Sequence, residues 1–222
     1  MVHLEQAQPE QLQELLAFAE EAFRTPEGKV DFPTLLPKLY GPGADSAPLH
    51  TVLYEDGAPA GLYCLKIQDF NIAGTALRVG GIGTVCVDGR SRGKGHLALL
   101  MQDAQERMQA AGCDIAMLGG QRQRYEYYGY EPAAVSYSFD ITRTNCCHAL
   151  SAVDTSGVSF KPFSEVRSRM NEIHDIYEQG PVAGARPVEN FEQICTSWNC
   201  RPYAVLCGEY IIGYVITSKN PA

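Results

Sequence analysis

The chain of 222 residues carries 26 acidic against 18 basic side chains, for a formal net charge of −8 at pH 7, with 45% of residues hydrophobic and 20% charged. This length exceeds the roughly 150-residue norm for one domain without reaching two full ones, and the composition supplies a sizeable core and excludes a disordered chain. The acidic balance speaks against nucleic acid as a partner, because such proteins carry a broad basic footprint, and Arg78 interrupts the longest weakly polar stretch well short of the ~20 residues of a membrane span.

In chain order, residues 2–5 predict a short strand. Residues 9–24 predict a helix, with Leu12, Leu15, Leu16, Ala19, Ala22 and Phe23 on one face and Pro9 suited to the first turn. A shorter helical stretch follows at 32–40, and Gly41-Pro42-Gly43 ends it. Two strands, 51–54 and 60–67, flank the turn Glu55-Asp56-Gly57. A strand over 76–87, a basic glycine-rich turn, a helix over about 94–111, a buried strand over 113–118 and an alternating strand over 135–142 complete this part. Beyond it, residues 161–178 and 187–198 show helical apolar patterns, and 204–215 repeats the pattern of 51–63, a hydrophobic strand, a tight turn and an apolar-Gly-aromatic or apolar-Gly-Leu restart. This predicts a partial duplication from about residue 157; the alternative is a hairpin with helices that extends the first sheet.

Eight cysteines are present. Cys64, Cys86 and Cys113 fall in apolar strand patterns, where a free thiol packs as a small hydrophobe. Cys146-Cys147 and Cys195-x-x-x-x-Cys200 lack the spacing of a zinc site, so no metal is expected. Glu5, Glu10, Glu14 and Glu20 leave no apolar core for a signal peptide, and reduced thiols in a cytoplasmic protein are the expectation.

The most informative segment is 85–101. A β-branched strand runs into Asp88-Gly89-Arg90-Ser91-Arg92-Gly93-Lys94-Gly95 and then a helix, an arrangement that suits phosphate. Glycines admit close backbone approach, free N–H groups at the helix start point at the anion, and the helix dipole adds positive potential. Spacing separates the phosphate-binding motifs. A P-loop fails because Gly89 to Gly93 is one residue short and Gly95 stands where Ser or Thr is required. The dinucleotide fingerprint fails because Gly81-Ile82-Gly83 continues into strand.

What remains is Val85-Cys86-Val87, a four-residue gap and R-x-x-G-x from Arg92, which resembles the acetyl-CoA signature of the GNAT N-acetyltransferases. Leu97 stands where the family pattern has Gly or Ala; the register Arg90-x-x-Gly93-x-Gly95 restores the glycine at the cost of a shorter gap. A second segment, Tyr125-Glu126-Tyr127-Tyr128-Gly129-Tyr130, is similar to the family's exit from its fifth strand, with Gly-Gly and an Arg/Gln run replacing the usual Asn-x-x-Ala, as in the multi-module, Eis-like lineage of bacterial GNAT proteins.

The resemblance implies an α/β (α+β) fold with a mixed, mostly antiparallel sheet flanked by helices: a GNAT domain over 1–145, then a partial second GNAT-like domain over 157–222 comprising the N-terminal half only. It implies acetyl-CoA as cosubstrate, held by Val85, Cys86, Val87, Arg92, Gly93, Lys94, Gly95, His96, Leu97 and Ala98. His96 has a second reading, as a solvated residue at the helix start, and Arg122 and Arg124 either line the cofactor cleft or form a solvated face. Tyr125 takes the position of the general acid, aimed into the cleft directly after strand five, and Asp69 is the one candidate base. A backbone N–H around Val87 would polarise the thioester oxygen. The implied reaction is acetyl transfer to a primary amine of a small molecule or peptide. The alternative is a catalytically silent CoA-binding or scaffold module, favoured by Leu97 and the lost Asn-x-x-Ala.

Overall fold

A computed structural model describes residues 1–133, 137 and 141–218. Strand β1 (Val2–Gln6) leads through a 3-10 turn at Pro9–Gln11 into helix α1 (Leu12–Ala22). The predicted second helix is two short ones, α2 (Phe32–Leu35) and α3 (Pro37–Tyr40). Pro37 removes a backbone donor and drives Leu36 out of helical geometry, to φ −130. Strands β2 (His50–Glu55) and β3 (Ala58–Ile72) form a hairpin whose turn residues Asp56 and Gly57 both have positive φ, as a type I′ turn requires.

Strand β4 (Thr75–Val87), α4 (His96–Ala110), β5 (Ile115–Leu118), α5 (Arg122–Tyr125) and α6 (Arg143–Ala149) follow. The chain then runs through β6 (Val158–Pro162), α7 (Met170–Glu178), β7 (Val182–Gly184), α8 (Phe191–Thr196), β8 (Cys200–Cys207) and β9 (Tyr210–Ser218). Among the described residues no helix is long and apolar enough to cross a membrane.

The first sheet runs β1-β2-β3-β4-β5, antiparallel except for the parallel β4–β5 pair, with β7 on the far end of β3. Its two faces carry two cores. Val52, Leu62 and Cys86 pack with Leu15, Leu16 and Ala19 of α1 and with Phe32 and Tyr40. Leu53, Ala60, Tyr63 and Leu65 pack with Leu100, Met101, Ala104 and Met108 of α4.

A separate sheet, β6-β8-β9, repeats the strand order and register of β1-β2-β3. Val2 pairs with Glu55 as Val158 pairs with Cys207; Leu53 faces Gly61 as Val205 faces Gly213; and each hairpin slips register one step nearer the turn. β7, not this hairpin, extends the first sheet. Ala204 and Leu206 pack with Phe163, Ile173, Phe191 and Cys195 in a third core.

Three expectations need correction. β5 is not a buried strand: Ile115 and Met117 are about half exposed, and among the described residues β5 pairs only with β4. The helix predicted from 161 starts at Met170, since Lys161 pairs with Ala204 inside β6. Tyr125 does not follow strand five directly; it closes α5. The strand expected over 135–142 falls mainly on 134–136 and 138–140, outside the described residues.

Candidate functional site

The site begins where β4 and β5 part. They pair from Val79↔Ile115 to Ile82↔Leu118, and from Gly83 onward that edge of β4 has no strand partner among the described residues. There β4 also bulges: Leu62 faces Cys86 while Cys64 faces Gly83, so β4 holds one residue more than β3 over this span. Thr84 absorbs the extra residue with φ +51, a conformation unfavourable for a β-branched side chain.

A buried relay holds the bulge. Tyr40 OH lies 2.8 Å from Thr84 Oγ1 and 3.0 Å from His50 Nε2, and His50 Nδ1 lies 2.8 Å from the Ser46 carbonyl. A carbonyl only accepts, so Nδ1 donates to it; Nε2 then accepts from Tyr40, and Thr84 donates to the Tyr40 oxygen. Burial holds His50 neutral by pushing its pKa below the ordinary imidazole value, and it pushes the Tyr40 phenol far up. Sequence reasoning missed this relay, because no local pattern joins positions 40, 50 and 84.

After Val87 the glycine-rich turn is built around two carboxylates. Asp88 caps it by accepting from Arg90 N at 2.8 Å, and its carboxylate also pairs with the Arg90 guanidinium at 2.8 Å. Glu55 accepts from Ser91 Oγ at 2.8 Å and Lys94 Nζ at 2.7 Å, and Lys94 with Ser91 holds its carboxyl down at about 2. Two of the turn's three cations are therefore already compensated, and Arg92 has no ion pair among the described residues. Gly93 and Gly95 take φ +80 and +83, and Gly95 is the residue before α4. In this left-handed region a side chain costs about 1–3 kcal/mol. His96 is not the solvated residue of its second reading. It is 4% exposed, its Nε2 lies 3.5 Å from Glu55, and neither ring nitrogen has a hydrogen bond among the described residues.

These elements enclose a cleft of about 490 Å³. Val85, Cys86, Val87, Arg92, Gly93, Gly95, His96, Leu97, Ala98 and Tyr125 all line it. Lys94 does not; its ammonium is turned to Glu55. Ala22 and Phe23 at the end of α1, with Ser91, Arg124 and Tyr128, also line it and were not singled out as cofactor contacts from sequence. Of the two arginines with double readings, Arg124 reaches the cleft, whereas Arg122 pairs with Glu126 and Glu131 at 3.4 Å. Asp69 is outside the cleft, exposed and paired with Arg78 at 3.2 Å, so the candidate base is withdrawn.

Tyr125 is 7% exposed and packs edge-on to Tyr130. Gly120 makes room for its ring, since a Cβ there would fall 2.6 Å from Tyr125 Cε2. Its hydroxyl has no hydrogen-bond partner among the described residues, and a phenol at the wall of a cleft can deliver or accept a proton.

Comparison with known proteins gives the family. No curated protein matches the chain. Among solved structures, a GCN5-related N-acetyltransferase from Anabaena variabilis aligns at 16% identity and TM-score 0.69, over 97% of this chain and 54% of its own. A probable N-acyltransferase of unknown function from Enterococcus faecalis aligns at 13% and 0.65, over 97% and 54%. Eis1 from Mycobacterium abscessus aligns at 16% and 0.61, over 97% and 52%. The chain thus spans about half the length of these relatives, and the likeness shows the fold. The family model described as an acetyltransferase (GNAT) domain matches residues 3–133, more than half of the chain, and the chain belongs to the GNAT acetyltransferase family.

Proposed function

We propose that the chain transfers an acetyl group from acetyl-CoA to a primary amine of a small molecule or peptide. The observation that carries this reading is the convergence, in one cleft, of the glycine turn at the start of α4, the unpaired edge of β4 and Tyr125. Backbone N–H groups of residues 93–98, with Arg92, would hold the diphosphate, and the pantetheine arm would lie along β4 as an added strand. Acetyl-CoA supplies the acyl group as a thioester. The amine nitrogen forms a bond to the carbonyl carbon, the carbon–sulfur bond breaks, and Tyr125 gives its proton to the departing thiolate. A backbone N–H near Val87 polarises the carbonyl oxygen, and the amine, of ordinary pKa ~10.4, loses its proton to water.

The same reading makes residues 1–145 the catalytic unit and 157–222 a cofactor-free copy of its N-terminal half, supported by the repeated register of the two sheets. That all eight cysteines are free is in keeping with a reducing, cytoplasmic setting. One observation favours a silent CoA-binding or scaffold module instead: the bulky Leu97 lines the cleft.

Thiol release from acetyl-CoA against a panel of amines separates the two. Turnover with at least one amine, reduced about 10²–10⁴-fold in Tyr125→Phe at unchanged cofactor affinity, supports transfer. Binding without turnover on any amine supports the silent module.

A further inference from the structure

A second cavity, of about 440 Å³, lies where the two units meet, between α3 with its following loop, β3 and the start of α8. Its wall is rich in donors. Lys38 and Lys66 line it, as do Asn190 and Gln193, whose side-chain amides have no hydrogen-bond partner among the described residues. Neither lysine has an ion pair among the described residues, and Asp45, exposed at the rim, is the one carboxylate in the lining. Arg186 stands close enough for it and Lys66 to disfavour the charge on the half-buried Lys38, adding to burial as the main cause; Arg186 is stacked on Tyr177 at 4.7 Å and likewise has no ion pair among the described residues.

Two lysines without ion pairs among the described residues thus line one cavity, with Arg186 near Lys38 behind them, in a protein whose net charge is −8. Like charges brought together without counter-ions repel, and the repulsion is relieved when an anion sits among them. The cavity wall is also firm. Ser46, which lines it, has its carbonyl tied to His50, and its own enclosed hydroxyl has no hydrogen-bond partner among the described residues.

We infer that this cavity is a binding site for a small organic anion carrying at least two negative charges, as carboxylates or phosphates. Lys38 and Lys66 meet the charges, and Asn190 and Gln193 donate from the second unit. Such a ligand bridges the units and adds stability by mass action. The inference does not depend on acetyl transfer, because none of these residues lines the cofactor cleft.

The test titrates citrate, and separately glycerol phosphate, into the full chain at constant ionic strength, with acetate as the monovalent control. The side-chain amide resonances of Asn190 and Gln193 are followed together with the unfolding temperature. Saturable shifts of those amides and a rising unfolding temperature are expected for the multivalent anions and not for acetate. Saturation by citrate alone identifies a polycarboxylate site, and by glycerol phosphate alone a phosphate site. In the Lys38→Gln/Lys66→Gln variant, checked by its acetyl-CoA titration or, if that reading fails, its unfolding midpoint, affinity should drop at least tenfold; in Gly95→Val it should be retained. Wild-type affinity in the double variant, loss of binding in Gly95→Val, or no saturable shift in the parent protein overturns the inference.

Discussion

The two sheets share strand order and register but differ in what covers them. In the first, Leu53, Tyr63 and Ala60 lie under α4, and none is more than 3% exposed. Their register counterparts in the second, Val205, Val215 and Ile212, are half-buried or exposed, and Phe160, the counterpart of Leu4, is 59% exposed. The first unit continues into β4, the glycine turn and α4, and the same continuation supplies both the second core layer and most of the candidate cleft. The second core layer and most of the cleft wall therefore come from one stretch of chain, residues 75–110, to which α5 adds Tyr125.

The sharpest way to break the comparison is catalytic. Tyr125→Phe keeps the ring in its place against Gly120 and removes one proton, so acetyl transfer should fall about 10²–10⁴-fold in steady-state assays while the unfolding midpoint stays put. Next comes paired core truncation. Leu53→Ala, at a fully enclosed position, should cost about 2–5 kcal/mol in urea unfolding, whereas Val205→Ala should cost under about 1 kcal/mol. Equal losses would mean that the second sheet is covered after all.

Acid stability sharpens the same contrast. His50 sits in the first unit with its pKa pushed below the unfolded value, so the unfolded chain binds the extra proton and stability declines as pH falls through about 6.5. Glu55, held at about 2, adds a further loss as pH falls from its unfolded value near 4.5 towards 2. Tyr40→Phe should remove the hydroxyl that His50 and Thr84 share and destabilise the protein by about 1–3 kcal/mol at neutral pH, read from unfolding midpoints.

The smallest effect is chemical labelling. Cys86, pushed up to about 12 by burial, and Cys64, pushed to about 11, should resist a thiol reagent at pH 8 in the native state, while the exposed Cys147 and Cys207 react first.

Legibility in the sequence followed the range of the forces involved. The Asp56-Gly57 turn, the glycines before α4 and the helical face of α1 are local, set by φ preferences and periodicity, and could be read directly. The repeat was legible because Gly61 and Gly213 stand at the same offset from their turns. Exposure of β5 was not, since an apolar run has the same composition whether its faces are covered or open. Lys161 was misassigned because the alternation Val158-Ser159-Phe160-Lys161 is too short to stand out, and the helical reading began at the end of this five-residue strand. The cleft motif was legible residue by residue, but Glu55 capturing Lys94 and Tyr40 holding Thr84 join positions 39 and 44 apart in the chain, and Tyr40 with His50 positions 10 apart with no shared period.

Calorimetric titration of acetyl-CoA into the parent protein and into Gly95→Val tests the central claim most directly. A Cβ at Gly95 meets nothing within 4 Å, so valine there adds no clash to the fold but carries the left-handed strain of about 1–3 kcal/mol, and its side chain stands in the cleft. Saturable binding at one site in the parent and none in Gly95→Val, with both proteins folded, is the expected result; binding of equal affinity in the two would contradict it.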